Sequence, residues 1–161
     1  MHEGKVPDIA FNVFSKSTWR ADISENVESC KDLSILVYVV FSPYLMTSKR
    51  YAPPFLRAYI LQEDRSYKQE ELRAITIEEG GAIDETQVLD LDDKLPFRLG
   101  LMRLKQQFLG GKPLFRLILI DPLEMRVLPT KREKEVEEAE KKAEEAEKKL
   151  QEYRDKFGEL R

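Results

Sequence analysis

PLFRLILIDPLEMRVLPTKREKEVEEAEKK, residues 113–142, changes character twice within thirty residues. LFRLILI alternates bulky apolar side chains with one arginine and reads as a strand. DPLEMRVLP is a turn-rich exit that gathers positive charge. Thr130 followed three residues later by Glu133, with Pro129 just before, is a capping box and predicts a helix start. Beyond it Val136, Ala139, Ala143, Ala146, Leu150, Tyr153, Phe157 and Leu160 are spaced alternately by three and four residues. That is an uninterrupted heptad seam in a background of Glu, Lys and Ala, all good helix formers. The chain is therefore expected to hold a domain over residues 1–128 and a helix over 129–161.

Upstream the period is two. IAFNVF alternates at Ile9, Phe11 and Val13, and ILVYVVF at 35–41 is apolar nearly throughout, as in a strand covered on both faces. FLRAYIL at 55–61 follows Pro53-Pro54, which disfavours helix there. FRLGLMRL at 97–104 pairs with LFRLILI across KQQFLGGK, whose Gly110-Gly111 suits a hairpin turn. Five strong strands with Pro-, Gly- and Asp-rich turns predict a mainly β fold, an antiparallel β-sandwich. YKQEELRAI, at 67–75, also has the composition of a short helix. Trp19, the one tryptophan, is expected at the sandwich edge.

At 161 residues and with a single cysteine, Cys30, the chain has no internal disulfide, and an intracellular location, nuclear or cytoplasmic, is expected. Its longest apolar run, LSILVYVVF, is half of what a membrane span of about 20 residues needs. His2, the only histidine, sits at the extreme N-terminus, so catalytic triads have no ordered base and zinc has too few ligands. Phosphate-binding glycine loops are absent too, and DETQVLDLDD lacks the glycine and closing glutamate of a calcium loop. An enzyme, a cofactor and a metal are all unexpected.

Charge is segregated beneath a net value of −3. Residues 63–93 carry eleven acidic side chains against three basic ones, whereas residues 94–134 carry ten basic against three acidic. With Phe97, Leu99 and Leu101 facing a core, Arg98 faces out. Arg116 does so in the partner strand, and hairpin pairing would put both arginines on one surface.

FRLGLMRLKQQFLGGKPLFRLILIDPLEMRVLPTKRE, at 97–133, resembles immunoglobulin-like DNA-binding domains of the Rel and STAT type in the order of its strand, turn, strand and basic exit. LRAYILQEDRSYKQEELRAITIEEGG is similar to the strands preceding that hairpin, and ISENVESCKDLSILVYVVF to an early strand entered through a polar loop. The resemblance implies an immunoglobulin-like sandwich that grips double-stranded DNA, with Lys131, Arg132 and Arg126 at the exit. Lys49 and Arg50 add a basic loop. The arginine-rich recognition loop of Rel-type domains has no counterpart, since SKSTWRADIS offers only Lys16 and Arg20. The expected function is a DNA-binding module of transcription control. Its phosphate-contacting residues would be Arg126, Lys131, Arg132, Lys49, Arg50, Arg98 and Arg116, and the helix seam would bind a second copy or a helical protein partner. The alternative is a non-catalytic scaffold, a β-domain head on a coiled-coil stalk.

Overall fold

A computed structural model describes residues 4–44, 49–108 and 111–158. Two compact units divide the chain, residues 1–127 and 128–161. The first is β-rich. Among the described residues it holds strands β1 (Ile9–Val13), β2 (Val37–Ser42), β3 (Phe55–Leu61), β4 (Tyr67–Leu72), β5 (Ile77–Glu78), β6 (Arg98–Phe108), β7 (Lys112–Asp121) and β8 (Arg126–Val127). They form two four-stranded sheets, ordered β1-β2-β3-β4 and β5-β6-β7-β8.

Inward side chains of both sheets meet in one apolar cluster. Val37, Val39, Leu56, Ala58 and Ile60 come from the first sheet, and Leu99, Leu101 and Phe115 from the second. Leu117 and Leu119 pack on it, as the strand alternation predicts. All of β2 is buried, because its other face also lies under cover.

That cover corrects one expectation. ISENVESCKDLS, expected as a polar loop, holds helix α2 (Glu25–Asp32), and α1 (Trp19–Asp22) precedes it. Trp19, Ile23, Val27 and Cys30 recur at helical spacing and pack with Tyr38, Val40, Phe55 and Tyr59 on the outer face of the first sheet. Trp19 thus belongs to a helical layer and not to an edge between sheets. Burial raises the pKa of Cys30 and pushes that of Tyr67 up to about 12. The Tyr67 hydroxyl donates to the Ile35 carbonyl at 2.7 Å.

A second correction concerns pairing. β1 runs parallel to β2, joined through α1 and α2, and β5 runs parallel to β6. Parallel neighbours need a crossover of a dozen or more residues, and the helical layer and the 79–97 segment supply them. Each sheet is built from consecutive strands, unlike the interleaved order of immunoglobulin domains. The 67–72 stretch is the strand β4 and not a helix; its charges suit a sheet edge, where they discourage pairing with another chain.

The outer face of the second sheet is covered by its own crossover. Ile77, Met102, Ile118 and Ile120 are buried there, with Ile83, Val88, Met125 and Val127 against them. Thr76 anchors this layer: its hydroxyl accepts from the Leu101 N–H at 2.8 Å and donates to the Gln87 carbonyl at 2.5 Å. Gly100 makes the approach possible, for a Cβ there would lie 2.6 Å from Thr76 Oγ1 and 2.8 Å from Ile120 Cδ1.

The second unit contains α3 (Lys131–Phe157), opened by the expected capping box. The Thr130 hydroxyl accepts from the Glu133 N–H, and the Glu133 carboxylate accepts from the Thr130 N–H at 2.7 Å. None of its described residues is buried. Among the described residues no helix is long and apolar enough to cross a membrane.

Candidate functional site

The segment entering β3 carries the most distinctive chemistry of the first unit. Lys49–Tyr51 is a single 3-10 turn that drops the Tyr51 ring into the helical layer, where it is 2% exposed. Around it stand Phe14 at 5.2 Å, Phe55 at 5.3 Å and Trp19 at 5.5 Å between ring centroids. Aromatic faces attract cations, and four arginines gather on these rings. Arg20 lies over Trp19 at 5.2 Å, Arg50 over Tyr51 at 5.7 Å and Arg73 over Phe55 at 4.5 Å. Arg57 is buried beneath, within 6 Å of Tyr51, Phe55 and Tyr59.

A charge inside a sheet needs a partner. Register puts Glu71 of β4 opposite Arg57 of β3. Arg57 Nε and Nη2 both donate to Glu71 Oε1, at 2.7 and 2.5 Å, and Nη1 donates to the Tyr59 hydroxyl at 3.1 Å. Burial alone would lower the Arg57 pKa, but those hydrogen bonds outweigh it and the value rises. Burial likewise opposes ionisation of Glu71, yet the Arg57 bonds and then those of Arg73 hold its pKa below the ordinary value. Arg73 takes the other carboxylate oxygen, and its Nη1 donates to the Arg50 carbonyl at 2.5 Å. Glu71 thereby ties the two arginines together, and Arg73 in turn pins the turn that carries Lys49 and Arg50.

The result is an exposed rim of Arg20, Lys49, Arg50 and Arg73 on a floor of rings and a neutralised Arg57–Glu71 pair. The Arg73 fork is taken by Glu71 and the Arg50 carbonyl, whereas the guanidiniums of Arg20 and Arg50 are set against ring faces. A planar fork fixed in this way suits phosphate or carboxylate oxygens and loses little freedom on binding them.

Of the expected contact residues, Lys49 and Arg50 fall in this rim. Arg20, Arg57 and Arg73 were missed. Arg57 had a signal: it is the one charge in an otherwise apolar strand. Arg73 was hidden within the acidic 63–93 segment, and Arg20 stands beside the only tryptophan.

The other expected residues lie elsewhere. Arg98 and Arg116 do share a face of the second sheet, because Arg98 pairs with Ile120 and Arg116 with Met102. Arg98 Nε, however, meets Asp90 at 3.0 Å, and Arg103 reaches Glu78 at 3.6 Å. The acidic segment therefore folds against the basic strand β6. Arg126 ion-pairs with Glu124. Lys131 lies 3.8 Å from Glu135, and Arg132 is exposed in the first turn of α3. The seam residues Val136, Ala139, Ala143, Ala146, Leu150, Tyr153 and Phe157 all lie in α3; Leu160 and His2 lie outside the described residues.

Among the described residues no group of three His, Cys, Asp or Glu side chains is placed to hold a metal ion. Comparison of the chain with known families, with curated proteins and with solved structures found no match.

Proposed function

We propose that this chain is a non-catalytic, polyanion-binding module that grips double-stranded DNA, with its two sheets acting as a sandwich and α3 joining two copies. The observation that carries the reading is the exposed rim in which Arg20, Arg50 and Arg73 lie against Trp19, Tyr51 and Phe55, with Lys49 beside them. Phosphate contacts supply most of the affinity of such a surface and make it depend on salt. Arg73, Arg126, Lys131, Arg132 and the Arg98–Arg116 face are secondary contacts, since Arg73, Arg98 and Arg126 already hold carboxylates. Transcription control is the natural role of a module of this kind.

Fluorescence anisotropy on a duplex of random sequence, between 50 and 200 mM salt, tests the proposal. Binding should weaken steeply with salt, and Lys49→Glu with Arg50→Glu should flatten the log–log slope by about two, roughly one per lost phosphate contact. Both side chains are exposed, so the fold should survive. Failure to bind at 50 mM salt, or an unchanged slope in the variant, would remove the reading.

One observation favours a protein partner instead. On the sheet-edge strand β1, Phe11 is 47% and Val13 52% exposed, although both lie on the same face as core-packed Ile9. An apolar edge strand of this sort invites addition of another strand, which is the scaffold reading.

A further inference from the structure

The seam of α3 divides by size at its midpoint. Val136, Ala139, Ala143 and Ala146 fill its first half, and Leu150, Tyr153, Phe157 and Leu160 its second. The large described ones are open to solvent: Leu150 is 53%, Tyr153 56% and Phe157 65% exposed. The Tyr153 and Phe157 rings, one turn apart, already meet in a tilted contact with centroids 4.5 Å apart, forming an aromatic block on an otherwise polar helix.

We infer that α3 pairs with α3 of a second copy in antiparallel orientation. The inference rests on the dimer role given to α3 above and fixes its geometry. Two antiparallel α3 seams centred on residue 148 set Ala146 against Leu150 of the second copy, Ala143 against Tyr153 and Ala139 against Phe157. The same three pairs recur across the twofold axis. Every layer then holds one small and one large side chain, so the helix separation stays even along the contact, within the usual 8–10 Å. In a parallel pair each residue would meet its own copy. Three alanine layers would then call for close helices, while Tyr–Tyr and Phe–Phe layers only a few residues away would force them apart.

Spin labels on single cysteines decide the matter, in the full chain carrying Cys30→Ala. Cys30 is half-buried, so Cys30→Ser serves as a second background should that variant lose its fold. Light scattering first establishes a dimer; a monomer at all concentrations would overturn the dimer role itself. In the dimer, labels at Lys148→Cys lie level with each other across the axis. Labels at Glu138→Cys lie about 20 residues apart along it, an axial offset of about 30 Å. The distance at 138 should therefore exceed that at 148 by about 15 Å once the lateral separation is included. Equal distances at the two positions in a proven dimer would overturn the antiparallel arrangement while leaving dimerisation intact.

Discussion

Arg57 and Glu71 show how one residue pair can organise a surface. Arg57 is 6% exposed, a burial tolerated because Glu71 and Tyr59 absorb its donors. Replacing Glu71 by Gln removes the charge and leaves a buried guanidinium short of its partner. We expect a loss of about 1.5–3 kcal/mol at pH 7, the usual worth of hydrogen bonds to a charged group. The pH dependence follows from the sign of the shift. The folded pKa of Glu71 lies below its ordinary 4.5, so its stabilisation is fully present above that value. It is lost as pH falls through the folded pKa. Urea unfolding of both proteins should show a gap that is constant near neutrality and closes below about pH 4.5. A gap that does not narrow at all as the pH falls below 4.5 towards the acid limit of folding would mean that the carboxylate charge is not what holds Arg57. The aromatic rim should loosen as well, since Arg73 shares the same carboxylate.

At the scale of elements, legibility followed the number of covered faces. β2, β3, β6 and β7 were readable because each buries a face against the shared core and alternates accordingly. The capping box at Thr130 and the seam of α3 were readable because each depends on residues a few positions apart. α1 and α2 were not: their stripe of Trp19, Ile23, Val27 and Cys30 is short and diluted by polar neighbours. β4 was ambiguous because its Lys, Gln and Glu favour helix in isolation, and only pairing with β3 makes it a strand. The parallel pairs were invisible in principle, since alternation records which face is buried and not which way a neighbour runs. The arginine rim was half legible: Lys49 and Arg50 share a loop, but Arg20 and Arg73 join them only through the fold. Gly100 offers a test of the crossover layer. Gly100→Ala forces a methyl against Thr76 and Ile120, both deeply buried. The expected cost is about 1–3 kcal/mol, read as a lower denaturation midpoint. A neutral substitution would mean that the 76–88 segment does not press on β6.

At the scale of the whole molecule, near-neutral net charge is compatible with polyanion binding because the acidic segment is spent on internal partners. Asp90 holds Arg98, Glu78 meets Arg103, and Asp92 holds Lys68, while the rim on the outer face of the first sheet keeps its positive excess. The local field thus differs from the net charge, within a Debye length of about 8–10 Å. One rim alone offers about three contacts, from Arg20, Lys49 and Arg50, enough for weak, salt-sensitive binding. Two rims on one dimer offer more than twice that in effect, because the second event becomes intramolecular. The antiparallel pairing sets the two helix starts at Lys131 about 34 residues apart along the axis, or about 50 Å. That span is about 15 base pairs of duplex at roughly 3.4 Å each. Duplex length should therefore reveal the dimer. Leu150→Glu with Phe157→Glu places charges in the seam, and both residues are exposed in α3, so the β-rich unit should be untouched. The intact chain should bind a 40-base-pair duplex about 10²-fold more tightly than an 8-base-pair one. The seam variant should lose that advantage beyond the modest gain from extra sites, while binding the short duplex as before. If the variant is monomeric by light scattering and keeps the full length advantage, the helix contributes nothing to avidity and each rim acts alone.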